Sequence, residues 1–157
     1  MEELPSDYGW YFAYGSNLAL SRIAQRTGAA PAARRACLHH YRLAFNVFAD
    51  EAIFANIVPC AQAFVWGAAY WLNRAMMAAL DGCEGVASGC YCRALVEVET
   101  VEGELLPAET YIGGACFLAA EGRPSDGYLQ LILSGAREHG LPEAYIARIA
   151  TFGARRG

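Results

Sequence analysis

Glu84 lies in the run Gly82-Cys83-Glu84-Gly85-Val86, where few local charges would hold a carboxyl pKa down. Partial burial there raises it, and a raised glutamate is what a proton shuttle needs; the plainer alternative is a solvated glutamate near a helix end. A second candidate is Tyr14-Gly15-Ser16-Asn17, which follows an aromatic, strand-like run and precedes a helical pattern. Unpaired N–H groups at such a junction suit a carboxylate. The competing reading is an ordinary turn, with Gly15 for the bend and Ser16 or Asn17 as a helix cap.

Other chemistries fit less well. Ser16 lacks the Gly-x-Ser-x-Gly elbow, and only His39, His40 and His139 are present as a base for it. Cys37 or Cys83 paired with a histidine has no neighbour that would lower its thiol pKa. Cys83, Cys90 and Cys92 lack C-x-x-C pairing, and His39 and His40 would point to opposite faces of a strand, so no metal site is expected. The six cysteines read as reduced, buried small hydrophobes. Tyr91, Tyr111 and Tyr128 sit at element edges, where a tyrosine commonly packs with its hydroxyl satisfied.

The bulk properties narrow the classes further. The 157 residues suit one domain spanning 1–157, and 55% hydrophobic against 18% charged residues is the composition of a chain that folds. A net charge of -4 gives no footprint for nucleic acid. All 12 basic residues are arginine, which excludes Schiff-base, P-loop and kinase-type lysine chemistry. The opening Met-Glu-Glu-Leu-Pro-Ser-Asp has no signal-peptide character, and no apolar run approaches the ~20 residues needed to span a bilayer. The expectation is a cytoplasmic protein with no membrane partner.

The elements that must position these residues follow from periodicity and punctuation. Residues 9–14 read as a strand and 17–26 as a helix ending near Gly28. Residues 36–48, 53–58 and 63–72 read as three strands, separated by Asp50-Glu51 and by Pro59. Asn73 caps a short helix with Met76, Met77, Leu80 and Cys83 on one face, and Gly82 and Gly85 end it, leaving Glu84 just past its terminus. Residues 91–101 and 105–112 form strands around a Glu102-Gly103 turn. Pro124-Ser125-Asp126 starts a helix carrying Tyr128, Leu129, Ile132 and Ala136, and a last helix follows Pro142. Strands in the middle, helices around them and no regular βα alternation predict an α+β fold with a closed or strongly curved, antiparallel-rich sheet.

These segments also carry a resemblance. Tyr11-Phe12-Ala13-Tyr14-Gly15-Ser16-Asn17-Leu18 resembles the opening signature of the γ-glutamylcyclotransferase family, Val65-Trp66-Gly67 its central strand, and Leu80-Asp81-Gly82-Cys83-Glu84-Gly85-Val86 its acidic motif. Gly89-Cys90-Tyr91, the segment 124–128 and the segment 135–142 are similar to later family segments, in order. The resemblance implies a small mixed β-barrel with flanking helices, Glu84 as the catalytic residue, and substrate binding by Tyr11, Phe12, Ala13, Tyr14, Gly15, Ser16, Asn17, Tyr91 and Tyr128. It implies cyclisation of a small γ-glutamyl substrate to 5-oxoproline with no cofactor and no metal, and it leaves a homodimer open. Residues 51–58, Glu-Ala-Ile-Phe-Ala-Asn-Ile-Val, lack the Trp-His-Gly-Gly stretch of the animal enzymes, so the acceptor side of the pocket is expected to differ.

Overall fold

Two long aromatic and branched runs drive the architecture: their buried residues come in consecutive blocks, and strands of that length bury them by curling around a shared core. The computed structural model describes residues 7–153; the N-terminal residues 1–6 read above lie outside that range. Strand β1 (Tyr8–Ala13) leads through a 3₁₀ turn (Ser16–Leu18) to helix α1 (Leu20–Thr27). Strands β2 (Ala33–Ala49) and β3 (Ala52–Asn73) form a long hairpin, followed by helix α2 (Arg74–Cys83). Strands β4 (Tyr91–Thr100) and β5 (Leu105–Gly113) precede helices α3 (Asp126–Glu138) and α4 (Glu143–Ala150). The strands close into a barrel in the order β1-β3-β2-β4-β5. The neighbouring strands pair antiparallel except β1 with β5, which is parallel. The expected α+β barrel with flanking helices is what forms. No helix among the described residues is long and apolar enough to cross a membrane.

The structure differs from the sequence reading at four places in and around the strands. Pro59 does not divide two strands: β3 runs continuously for 22 residues. Pro59 faces Tyr41 beside a register shift, where His40 takes a left-handed φ of 70°. The ladder is already interrupted at that bulge, so proline's missing N–H costs little. The same bulge leaves both His39 and His40 exposed, with ring centroids 6.3 Å apart, and overturns the expectation of opposite faces. The cysteines are free, but only Cys37 is buried; Cys83, Cys92 and Cys116 are exposed. The β2–β3 turn is also sharper than a polar break suggests. Asp50 and Glu51 both have left-handed φ, 50° and 62°, as a two-residue I′ hairpin turn requires.

The core is filled by Phe12, Leu18, Phe45, Ile57, Val65 and Tyr70, all 1% exposed or less. Two glycines permit the approaches that shape the site. A Cβ on Gly67 would lie 2.2 Å from the Ala13 carbonyl oxygen and 2.8 Å from the Phe12 ring, so β3 can press on the end of β1 only with glycine there. A Cβ on Gly135 would meet the Leu18 carbonyl carbon and the Ala19 nitrogen, both at 2.3 Å. Through that gap α3 packs directly on the 3₁₀ turn.

Candidate active site

The loop after β1 and the helix α1 that follows it converge with a residue far along the chain, the one that ends α2. Asn73 caps α2 as expected, accepting from the Met76 N–H at 2.8 Å, and the helix runs out at Glu84, whose N–H still bonds the Leu80 carbonyl. Gly85 at φ 65° then turns the chain away. Glu84 is thus carried on the last turn of a packed helix, with a side chain 17% exposed.

Its Oε1 accepts two bonds, from Asn17 Nδ2 and from Arg26 Nη1, each at 3.1 Å. Asn17 Nδ2 also donates to the Tyr11 hydroxyl at 2.9 Å, and Asn17 Oδ1 accepts from Arg26 Nη1 at 3.0 Å. Among the described residues no partner is found for Glu84 Oε2. Burial pushes the Glu84 carboxyl above its ordinary range, and Arg26, the Asn17 bond and Arg22 pull it back only in part. The direction agrees with the sequence reading, but the neighbourhood does not: few charges flank Glu84 in the chain, whereas the fold sets a guanidinium 3.1 Å away.

Asn17 and Ser16 do not cap α1. No side chain of the Ala19 cap position serves either; the Leu20 N–H is taken by Glu138 Oε1 at 2.9 Å, from the far end of α3. Relieved of capping, Asn17 is free to orient the glutamate. The turn that carries it is held from behind. The Tyr70 hydroxyl donates to the Asn17 carbonyl at 2.8 Å, while His139 Nε2 contacts that hydroxyl at 2.8 Å and the Leu18 carbonyl at 2.9 Å. Burial lowers the His139 pKa, and because a carbonyl can only accept, Nε2 carries the proton.

The cleft above Glu84 has a volume of about 350 Å³. Its walls include Tyr11, Tyr14, Gly15, Ser16, Asn17, Tyr91 and Tyr128. Phe12 and Ala13 are not among them: both are fully buried in β1, and the Phe12 carbonyl accepts from the Thr110 hydroxyl at 2.8 Å. The tyrosines are anchored. Tyr14 donates to the Tyr111 carbonyl at 2.6 Å and Tyr91 to the Ala55 carbonyl at 2.5 Å, while Tyr128 accepts from the Ala55 N–H at 3.1 Å. Burial drives the phenols of Tyr11, Tyr14 and Tyr91 well up and that of Tyr128 up to about 12, so all are neutral hydroxyls at neutral pH.

Arg22, Arg26 and Tyr111 also line the cleft, and sequence reasoning did not select them as site residues. The two arginines carried a usable signal: on the helix that follows the loop they are four residues apart, on one face and one turn from each other. The divergent stretch enters too, through Phe54 and Ala55, as does Asp50 from the turn just before it. No group of three or more histidine, cysteine, aspartate or glutamate side chains among the described residues is arranged to hold a metal ion.

Comparison with known proteins agrees with this geometry. The model of the AIG2-like family matches residues 64–149. A γ-glutamylcyclotransferase of Mus musculus is 34% identical over 141 residues, which cover 86% of this chain and 73% of that protein. The chain belongs to this family. The γ-glutamylcyclotransferase of Homo sapiens is likewise 34% identical over the same shares of each chain. A solved γ-glutamyl cyclotransferase superposes with a TM-score of 0.82 at 30% identity, over 91% of this chain and 86% of that one.

Proposed function

We propose that this family member is a γ-glutamylcyclotransferase acting as a single domain on small γ-glutamyl compounds, with Glu84 as its proton-transferring residue and the cytoplasm as its compartment. One observation carries the reading: a carboxyl raised by burial, with one oxygen pinned by Asn17 and Arg26, stands in a cleft of about 350 Å³, within the range of small-molecule sites.

In such a compound the α-amino nitrogen and the γ-carbonyl belong to one side chain. Attack of the nitrogen on the carbonyl carbon closes a five-membered lactam, and collapse of the adduct breaks the bond to the departing amine. The nitrogen must first lose a proton. An α-ammonium titrates near 8 and an ordinary glutamate near 4.3, a mismatch of about 5 kcal/mol at 1.36 kcal/mol per unit. Raising Glu84 narrows that gap while burial keeps competing water away. The protonated carboxyl then returns the proton to the leaving nitrogen, so one residue serves as base and acid.

The loop Gly15-Ser16-Asn17 grips the α-carboxylate, and the surrounding tyrosines hold the side chain folded toward attack. Well-oriented intramolecular reactions reach effective molarities of about 10⁵–10⁸ M, so this positioning is a large part of the acceleration. The Tyr128 hydroxyl accepts from Ala55, which leaves its own proton for a substrate oxygen.

The identity of the amine is set elsewhere. Phe54 and Ala55 come from the stretch that departs from the animal pattern, so the same cyclisation on another γ-glutamyl amine is the second reading. Release of 5-oxoproline, followed by mass spectrometry across γ-glutamyl amino acids, glutathione and γ-glutamyl amines, tests both. Turnover of amino-acid conjugates supports the first reading, turnover of amine conjugates alone supports the second, and none across the panel overturns the assignment.

A further inference from the structure

Two arginines, Arg22 and Arg26, line the cleft together with the carboxylates of Glu84 and Asp50, and among the described residues Arg26 alone is ion-paired with Glu84, at 3.1 Å. Among the described residues Arg22 has no carboxylate within salt-bridge distance. One polar contact is made by its guanidinium, a bond from Nη1 to the Ser16 hydroxyl oxygen at 3.1 Å. A guanidinium offers five N–H donors in a planar fork, so most of this one is unspent. Burial and the neighbouring Arg26 both work against its charge, which is the situation an incoming anion relieves.

Ser16 completes the arrangement. Its residue is 8% exposed, and its hydroxyl accepts from Arg22. Among the described residues no acceptor takes the hydroxyl proton. A guanidinium fork and a hydroxyl proton, side by side on one cleft wall, match the two oxygens of a carboxylate.

Substrate chemistry says which carboxylate. Resting on the cyclotransferase reading above, the α-ammonium must reach Glu84, and the α-carboxylate hangs from the same carbon. We propose that Arg22, oriented by Ser16, supplies the charge without which the loop's grip on the substrate's α-carboxylate is weak, and so makes a free α-carboxylate a condition of recognition. The zwitterionic end of the substrate then lies across a Glu84–Arg22 charge pair, while Arg26 stays engaged with Glu84 and Asn17. Arg22 is a binding and specificity residue in this scheme; it moves no proton.

The test compares native protein, Arg22→Gln and Arg22→Lys on a γ-glutamyl amide and on the matching 4-aminobutanoyl amide, which lacks only the α-carboxylate and closes to 2-pyrrolidinone. The native protein should lose about 10- to 100-fold in kcat/KM when the carboxylate is removed, the range of a charge-assisted bond. Arg22→Gln should lose as much on the γ-glutamyl substrate, mainly through KM, and then discriminate little between the two compounds. Arg22→Lys should recover part of the difference.

Binding of 5-oxoproline against 2-pyrrolidinone, by NMR titration, reads the same contact without turnover. Native protein should prefer the carboxylate-bearing lactam and Arg22→Gln should not, a result that holds even if the chain cyclises nothing and the parent reading falls. A folded Arg22→Gln with native KM and native discrimination, or with native lactam preference, overturns the proposal.

Discussion

Two carboxylates three residues apart at the end of α2, Asp81 and Glu84, each meet an arginine, and the fold pushes their pKa values in opposite directions. Burial raises both. At Asp81 it is outweighed: Arg93 Nε donates to Oδ1 at 2.8 Å and Nη2 to Oδ2 at 2.5 Å, and the Tyr111 hydroxyl adds a bond to Oδ1 at 2.7 Å. At Glu84 the single Arg26 Nη1 is shared with Asn17, one oxygen is engaged, and burial prevails. A fork that takes both oxygens locks a carboxylate ionised, whereas a one-sided contact in a deeper setting leaves a group able to exchange a proton. Proximity to an arginine therefore says little until the geometry is known.

The sharpest way to break the contrast is Glu84→Gln, which is expected to fold with native circular dichroism and lose about 10³-fold or more in 5-oxoproline release. A folded, active variant would show that Glu84 moves no proton. Next in size is Arg26→Gln. The acid limb of the native kcat/KM profile should lie above the ordinary glutamate range, because the base must be ionised and burial raises its pKa. Removing Arg26 takes away the main opposing influence, so the limb should move to higher pH. Activity at neutral pH should fall about 10- to 100-fold, and the deficit should shrink as pH rises. A limb that stays in place would assign it to another group.

The smallest effect is expected at the other carboxylate. Asp81→Asn should cost about 1 kcal/mol in urea denaturation, since its arginine is partly exposed, with activity retained to within about tenfold. The sign of the pH dependence follows from a lowered folded pKa. The stabilisation by Asp81 is fully present above its unfolded value near 3.9 and is lost as pH falls toward the folded one. The stability gap between native protein and Asp81→Asn should therefore close in acid; a gap that persists there would show that packing, not charge, supports this corner.

Local patterns made much of the fold legible. The cap at Asn73, the helix start at Pro124-Ser125-Asp126, the end of α1 near Gly28 and the Gly103 turn each depend on a few neighbouring residues, and each stands where expected. What misled was a local signal overruled at long range. Pro59 reads as a strand break, yet it sits opposite a bulge that only the pairing with β2 creates. Ser16 and Asn17 read as caps, yet Glu138 serves α1 from 118 residues away. Cys83 shares the helical spacing of Met77 and Leu80, but the helix ends there and leaves it exposed.

By itself the sequence determined the class of fold, the order of its elements, the position of Glu84 at a helix terminus and the resemblance that points to γ-glutamyl chemistry, because these are written in short-range periodicity, turn residues and contiguous motifs. Tertiary structure alone decided that Arg26 and Asn17 hold one oxygen of Glu84, that Arg22 faces the cleft without a carboxylate partner among the described residues, and that the pKa values of Asp81 and Glu84 are pushed in opposite directions. Those outcomes depend on distances between segments 58 and 67 residues apart and on how deeply each charge is buried. Neither quantity exists until the barrel closes.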